Sequence, residues 1–198
     1  MAVDPSLTCS GWAAFSTDSG RLLAVGKIRS IPSANPLACR LEDLQLKVKE
    51  VMEQMDLGKN DVLICEAPTT MRDPRAAFKV EQVRGIFEAV ARERKLLVPG
   101  RLNPRSVQFE ILGLKGRQAV RASVKSAAVQ VAARLYGTEL GKLGFEARES
   151  NLKKHQDIVD AMLIGALALS RIKSALISRQ PLELFFEERR NRRRIRIR

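Results

Sequence analysis

The sequence predicts an α/β fold in which a mixed central sheet is flanked by helices. A hairpin of two apolar runs near the N-terminus, a short continuous apolar run at 62–65 and several long segments with helical spacing support this prediction. The 198 residues are enough for one well-cored domain. We therefore predict a single domain over residues 1–178, followed by a basic C-terminal tail over residues 179–198.

Apolar runs and turn residues give the order of the elements. The predicted strands cover 1–4, 11–15, 22–28, 62–65 and 96–98. The predicted helices cover 41–55, 73–95, 103–111, 119–135 and 156–172. The second helix has the clearest start, because Asp73 suits the N-cap and Pro74 the first helical position.

The charge of the chain points to a polyanionic partner. The sequence has 35 Lys and Arg against 22 Asp and Glu, a net charge of +13 and a pI near 10.3. Only 5% of the residues are aromatic, which favours a protein that follows phosphates over one that stacks on unpaired bases. The charge therefore indicates nucleic acid as the partner class, without indicating an activity.

Other functional classes fit poorly. No stretch reaches the roughly 18 uninterrupted apolar residues of a membrane span, and the N-terminus lacks the pattern of a secretory signal. The three cysteines, Cys9, Cys39 and Cys65, are odd in number and lack metal-binding spacing, so we expect them to be reduced, with Cys65 in the core. A cytosol-like compartment is the expectation.

Four acidic residues stand at the ends of predicted elements. Asp4 ends the first strand, Glu66 ends the strand at 62–65, and Asp157 and Asp160 share one face of the last helix. Acids at strand ends of an open sheet can face one crevice. Converging carboxylates resist ionisation unless a hard divalent cation joins them. The set predicts metal-dependent hydrolysis of a nucleic-acid strand, with these four residues as catalytic and metal-binding groups.

Each acid also has a purely structural interpretation. Asp4 precedes Pro5 and suits an Asx-turn, and acids in the first turn of a helix, such as Asp157 and Asp160, are favoured by its dipole. Glu66 has no obvious packing role after an apolar strand. The combination with the basic charge favours function, while each residue taken alone stays open.

An ordered set of motifs resembles the RuvC family of Holliday-junction resolvases. The segments that carry the resemblance are Asp4-Pro5-Ser6-Leu7-Thr8 with Gly11-Trp12, Arg40-Leu41, Asp61 through Glu66, Gln82-Val83-Arg84-Gly85, Ile111 through Arg117 with Val124-Lys125, and Asp157-x-x-Asp160-Ala161. Together these segments cover roughly residues 2–170, and their order and spacing match those of the family.

The resemblance implies an RNase H-like fold and a homodimeric endonuclease that nicks two strands of a four-way DNA junction symmetrically, leaving 5′-phosphate and 3′-hydroxyl ends. It maps the family's four acidic positions onto Asp4, Glu66, Asp157 and Asp160, with two Mg²⁺ ions for which Mn²⁺ can substitute. The family's dimer helix corresponds to residues 73–94, although the apolar stripe there fits packing on its own sheet equally well.

The same resemblance suggests a branch-migration helicase as a further partner. It also implies a location in the cytoplasm with the nucleoid, or the equivalent in a phage or an organelle.

The chain departs from the family pattern in three places. Residues 67–72 lack the aromatic ring that wedges into the junction, which leaves Met71 as an apolar substitute. Some relatives carry histidine at the first helix acid, whereas here it is Asp157, and we interpret His155 as a helix-start or phosphate-adjacent residue rather than a ligand. Seven arginines in residues 189–198 have no family counterpart, and their repulsion keeps them solvated unless an anion binds.

Basic residues near the predicted loop at 113–117 are candidates for phosphate binding. The first choices are Lys115, Arg117, Arg121 and Lys125, and the second choices are Arg72 and Arg75 beside Glu66. A solvated helix face would show the same spacing. Two other functions also stay open: a related nuclease acting on RNA or on flap and other branched DNA, and a non-catalytic protein that binds junctions.

Overall fold

The computed structural model describes residues 1–68, 73–114 and 120–186. Within these ranges five strands form one mixed sheet in the order β3-β2-β1-β4-β5. The strands are β1 (Ala2–Asp4), β2 (Cys9–Phe15), β3 (Leu22–Arg29), β4 (Ile64–Glu66) and β5 (Arg101–Leu102). The α-helices are α1 (Leu37–Gln54), α2 (Pro74–Glu93), α3 (Pro104–Ser106), α4 (Arg121–Lys142), α5 (Glu149–Leu152), α6 (Gln156–Ser178) and α7 (Glu183–Phe186).

The sheet combines an antiparallel half with a parallel half. Strands β2 and β3 form the predicted hairpin, and the turn between them contains Gly20 at a φ of 72°, a conformation that glycine adopts without steric cost. Strand β1 pairs antiparallel with β2 and parallel with β4, and β5 continues the parallel half. The carboxyl ends of β1, β4 and β5 therefore lie at one edge of the sheet.

Helices cover both faces of this sheet and create two cores. On one face α1 and α2 pack against residues such as Val3 and Leu63. On the other face α4 and α6 pack against residues such as Ala2 and Ile64. Because side chains alternate along a strand, Asp4 shares the α6 face with Ala2.

Helix α6 lies against the centre of the sheet and contacts four of its strands. By length and composition the segment Glu149–Ser178 could cross a membrane, since its mean hydropathy reaches 1.5 over 18 residues. Half of that window is buried inside the protein, so packing in the core accounts for its apolar character. Gly165 permits the close approach, because a Cβ there would overlap the ring of Phe15.

The predicted strand at 96–98 is wrong. Leu97 forms an isolated bridge with Val62, and the strand is β5, a few residues further along. Pro99 lacks the backbone N–H that a sheet ladder needs, and Gly100 has a φ of 153° that breaks the regular extension. The apolar run at 96–98 was therefore a poor guide to the ladder.

The predicted helices are all present, with different bounds. Helix α1 begins directly after Pro36, and α4 and α6 continue beyond their predicted ends to Lys142 and Ser178. The helix predicted at 103–111 begins as α3 and changes to a π-helical turn over Val107–Ile111. Periodicity found the helices, and packing sets their ends.

The chain beyond α6 first turns back onto the domain. Arg179 ends α6 in the left-handed conformation, with a φ of 53°, and Phe186 of α7 is buried in the core on the α6 face. Residues 187–198, which contain the arginine run, lie outside the described residues. The division of the chain at residue 178 stays a prediction.

Candidate active site

Asp4 and Glu66 end two neighbouring parallel strands. The pairing of Ala2 with Ile64 and of Val3 with Cys65 brings the two acids to the same edge of the sheet. Alternation along the strands sends both side chains to the α6 face. The sequence signal was local, since each acid follows a short buried strand.

Asp157 lies in the first turn of α6 and Asp160 about one turn further along, and this end of the helix packs over the same edge of the sheet. The backbone of Asp157 rests directly on β2, because a Cβ at Gly11 would overlap the Asp157 carbonyl group. The structure thus brings the four predicted acids together, while their catalytic role stays a prediction.

Three of the four carboxyl groups are hard to ionise. Burial, followed by the charges of Glu66, Asp160 and Asp157, raises the pKa of Asp4 well above its usual value. Burial and the charge of Asp160 raise the pKa of Glu66 to about 7. Burial also raises the pKa of Asp160 to about 6. We call Asp4, Glu66 and Asp160 the acid cluster.

Asp157 has a different environment. Lys27 Nζ lies 2.8 Å from Asp157 Oδ2, and the Cys9 thiol donates to the same oxygen at 3.2 Å. Although burial opposes ionisation, these hydrogen bonds and the charge of Lys27 lower the pKa of Asp157 below its usual value. Asp157 is therefore an ionised group that already has a cation.

The donor chemistry of the acid cluster fits a divalent metal ion. Mg²⁺ and Mn²⁺ prefer carboxylate oxygens, and a cation would offset the repulsion that raises these pKa values. Among the residues that the structure describes, no three His, Cys, Asp or Glu side chains already stand close enough together to enclose an ion. Binding an ion would therefore require these carboxyl groups to come closer together.

A cavity of about 210 Å³ opens beside the acid cluster. Glu66 and Asp160 line it together with Arg121 and Lys125 of α4. The charges of the two basic residues also act on Asp160, where they partly offset the effect of burial on its pKa. Cations at the rim of an acidic pocket are suited to holding a phosphate backbone near the carboxylates.

The other predicted phosphate-binding residues do not line this cavity among the residues that the structure describes. Arg75 is exposed near the start of α2. Arg72, Lys115 and Arg117 lie outside the described residues, as does Met71. Their proposed contacts stay predictions.

Sequence reasoning missed three side chains that support the site. Gln156 Nε2 donates to Asp160 Oδ1 at 2.8 Å, and Arg84 Nε donates to the main-chain oxygen of Glu66 at 2.6 Å. Lys27 is the third. The hairpin register contains a signal for Lys27, because Gly11 pairs with Asp4 on one side and with Lys27 on the other. Arg84 lies in the Gln82–Gly85 segment of the family resemblance, but its contact with Glu66 depends on burial by tertiary packing, which the sequence did not predict.

His155 occupies the N-cap position of α6, as its interpretation as a helix-start residue requires. Its ring packs edge-on against Phe145, with the ring centroids 5.0 Å apart. Burial and the charge of Lys27 lower its pKa and so favour the neutral form of the imidazole.

The apolar stripe of α2 packs inside its own domain. Val83, Phe87 and Val90 are buried in the core that α2 shares with α1. Of the two interpretations of the stripe, packing on its own sheet therefore accounts for these three residues.

No protein-family model matches the sequence, and no curated protein matches it. The fold, in contrast, is similar to solved structures. T. thermophilus RuvC in complex with Holliday junction substrate aligns with a TM-score of 0.59 and 19% identity over 88% of this chain and 93% of that one. A second Thermus thermophilus RuvC structure gives a TM-score of 0.59 and 20% identity over 88% and 94%. The predicted fold is thereby confirmed: the chain has the RNase H-like fold that RuvC has.

Proposed function

We propose that this protein is a structure-selective endonuclease that resolves four-way DNA junctions by paired, symmetric nicks. The observation that carries the proposal is the convergence of four acids from β1, β4 and α6 beside a cavity with a basic rim. The fold neighbour was solved with a Holliday junction substrate, which supports the same substrate class here.

The proposed chemistry is hydrolysis of a phosphodiester with 5′-phosphate and 3′-hydroxyl products. A bound Mg²⁺ or Mn²⁺ supplies charge neutralisation at the phosphate and lowers the pKa of water. Asp4, Glu66 and Asp160 are the residues that would hold such an ion, because they combine burial with mutual repulsion. Asp157, ionised at neutral pH, completes the acidic wall.

The surrounding residues orient the acids and the substrate. Gln156 fixes one carboxylate oxygen of Asp160, and Arg84 fixes the main chain at Glu66. Arg121 and Lys125 would bind phosphates that flank the cut site and so hold the strand across the cavity.

Symmetric nicking needs two active sites, so we propose a homodimer. The surface between α1 and α2 suits this role, because Phe78 is 72% exposed and a groove beyond it is lined by Leu41 and Ile86. This surface differs from the predicted apolar stripe of α2, whose residues Val83, Phe87 and Val90 are buried in the core of the domain.

The test is cleavage of a synthetic mobile four-way junction with mapped nick positions. We expect paired nicks in Mg²⁺ and Mn²⁺, none with chelator, and little cutting of plain duplex. Preferential cutting of a flap or an RNA–DNA hybrid would establish the related nuclease activity instead. Tight junction binding without nicking in either metal would establish a non-catalytic binding protein.

The Asp4→Asn variant tests the site in the same assay, with Asp18→Asn as the matched control because Asp18 lies in the exposed hairpin turn. The first variant should bind the junction without cutting it, and the control should cut as wild type does. Cutting by the first variant would remove Asp4 from the site.

A further inference from the structure

Three residues form one row across the antiparallel half of the sheet. Asp4 pairs with Gly11, and Gly11 pairs with Lys27. Directly paired residues of neighbouring strands project to the same face, so Asp4 and Lys27 both face α6. Two strand spacings separate their backbones, roughly 10 Å. Gly11 lies between them in the row and has no side chain, so a gap separates the side chains of Asp4 and Lys27.

The N-terminus of α6 fills this gap. Asp157 lies with its carbonyl group against Gly11, so its main chain is fixed between Asp4 and Lys27. From that position its carboxylate meets Lys27, with 2.8 Å between Nζ and Oδ2. The Lys27 side chain is 14% exposed and that of Asp157 35%, so the ion pair is partly shielded from water, mainly on the lysine side.

The contacts of Asp157 leave little room for a divalent ion on the same oxygen. Oδ2 accepts from both Lys27 and Cys9, which uses the electron pairs that a metal would need. An ammonium group is also a compact unit charge. Placing a divalent cation within a few ångströms of this ammonium group would be unfavourable, because like charges repel and the lysine side chain is largely buried.

We propose that the ammonium group of Lys27 takes the place of a second metal ion, so that each protomer binds one divalent ion, at Asp4, Glu66 and Asp160. Lys27 is then a positioning residue, which holds Asp157 ionised and in place without a metal. The inference rests on the proposed metal-dependent nuclease and revises the expected number of ions from two to one.

The experiment counts Mn²⁺ ions bound to the full-length protein, from the electron paramagnetic resonance signal of free Mn²⁺ and from calorimetry. Wild type should bind one ion per protomer. Lys27→Met removes the charge and keeps a side chain of similar shape, and it should bind two. Lys27→Arg restores the charge and should return the count to one. The matched control is Lys47→Met, because Lys47 also lies 2.8 Å from an aspartate, Asp43, but on the exposed side of α1.

Each outcome decides the matter. Two ions in wild type, or one ion in Lys27→Met, would overturn the proposal. No bound ion in wild type would overturn it together with the metal-dependent mechanism. The wild-type count and the arginine variant keep the test valid if Lys27→Met fails to fold. Junction cleavage, assayed separately, tells the two failures apart, because a protein that nicks junctions with two bound ions refutes only the role of Lys27.

Discussion

Two groups of charged residues, each partly buried, lie side by side in this protein and differ in how their charges are balanced. In the first, two arginines and two glutamates, Arg84, Arg101, Glu81 and Glu88, form a network between α2 and β5. Arg101 donates to Glu88 and to Glu81 at 2.6 Å each, and Arg84 pairs with Glu81. We call these four residues the paired network. The second group is the acid cluster, in which burial and repulsion outweigh the nearby cations.

The difference separates a structural arrangement from a functional one. Unbalanced buried charge costs stability, so a fold keeps it where a ligand offsets the cost. The paired network is complete without a ligand, whereas the acid cluster is balanced only when a cation binds. Arg84 connects the two groups, because it pairs with Glu81 and also donates to the main chain of Glu66.

The largest effect is expected from breaking the acid cluster. Glu66→Gln should lower the rate of junction nicking by about 1,000-fold, since a catalytic metal contributes several kcal/mol to stabilising the transition state. Junction affinity should change little, because phosphate contacts supply most of it. Single-turnover nicking and gel-shift binding measure the two effects. A loss of binding equal to the loss of nicking would contradict the assigned role.

Breaking the paired network should instead lower stability. Arg84→Met removes the buried guanidinium group that donates to the Glu66 main-chain oxygen, while Glu81, which is 44% exposed, keeps its pair with Arg101. The variant should cost about 1–3 kcal/mol in the free energy of unfolding. The control is Lys49→Met, because both members of the Lys49–Glu93 ion pair are exposed, at 42% and 62%, and the pair should contribute less than about 1 kcal/mol. Urea denaturation compares the two. An equal loss in the free energy of unfolding for both variants would show that the paired network stabilises the protein no more than an exposed ion pair does.

Removing charge from the acid cluster should instead raise the stability of the metal-free protein. The folded-state pKa values of Glu66 and Asp160 lie above their usual values, at about 7 and about 6, so the folded protein favours the protonated forms. Metal-free stability from these groups is therefore present below about pH 4 and is lost as the pH rises to about 7.

Asp160→Asn should accordingly stabilise the metal-free protein at pH 7.5 by roughly 1–2 kcal/mol in the free energy of unfolding. This gain should appear as a higher melting temperature. It should also reduce the stabilisation by Mg²⁺. His155 and the N-terminal amine have lowered pKa values and act in the other direction, so the informative quantity is the difference between variant and wild type. A metal-free variant less stable than wild type at this pH would contradict the prediction.

The smallest effect is expected at the basic rim. Arg121→Ala and Lys125→Ala should each weaken junction binding several-fold and reduce the slope of log affinity against log salt by about 1. Nicking at saturating DNA should persist. Lys49→Ala is the control, because Lys49 pairs with Glu93 on the far side of the sheet. If the slope of log affinity against log salt is unchanged in both variants, Arg121 and Lys125 belong to a solvated helix face and do not bind phosphate.

The sequence predicted what depends on local pattern. Asp4 and Glu66 follow short buried strands, and Asp157 and Asp160 share a helix face, so their convergence required only the expected fold. The same reasoning failed at β5, where the interruption at Gly100 displaces the strand from the apolar run. A local conformation overrode composition there.

The residues that support the site depend on long-range geometry. Lys27 matters because of the register of three strands, and Arg84 because an arginine on an amphipathic helix is buried against a strand end 18 residues earlier in the chain. Propensity and spacing predict arginine at a helix surface, where it is usually solvated. The roles of both residues became apparent only once the strand pairing and the helix packing were known.

The return of the C-terminal segment affects how the molecule behaves in a crowded solution. β5 is an outer strand of the sheet, and outer strands expose hydrogen-bonding groups to which other chains can add. Helix α7 lies beside this strand, with the Phe186 side chain against Gly100, and covers apolar surface there. A chain cut after Ser178 would expose the outer side of β5, and we expect it to self-associate through this strand while the acids at the ends of β1 and β4 stay in place.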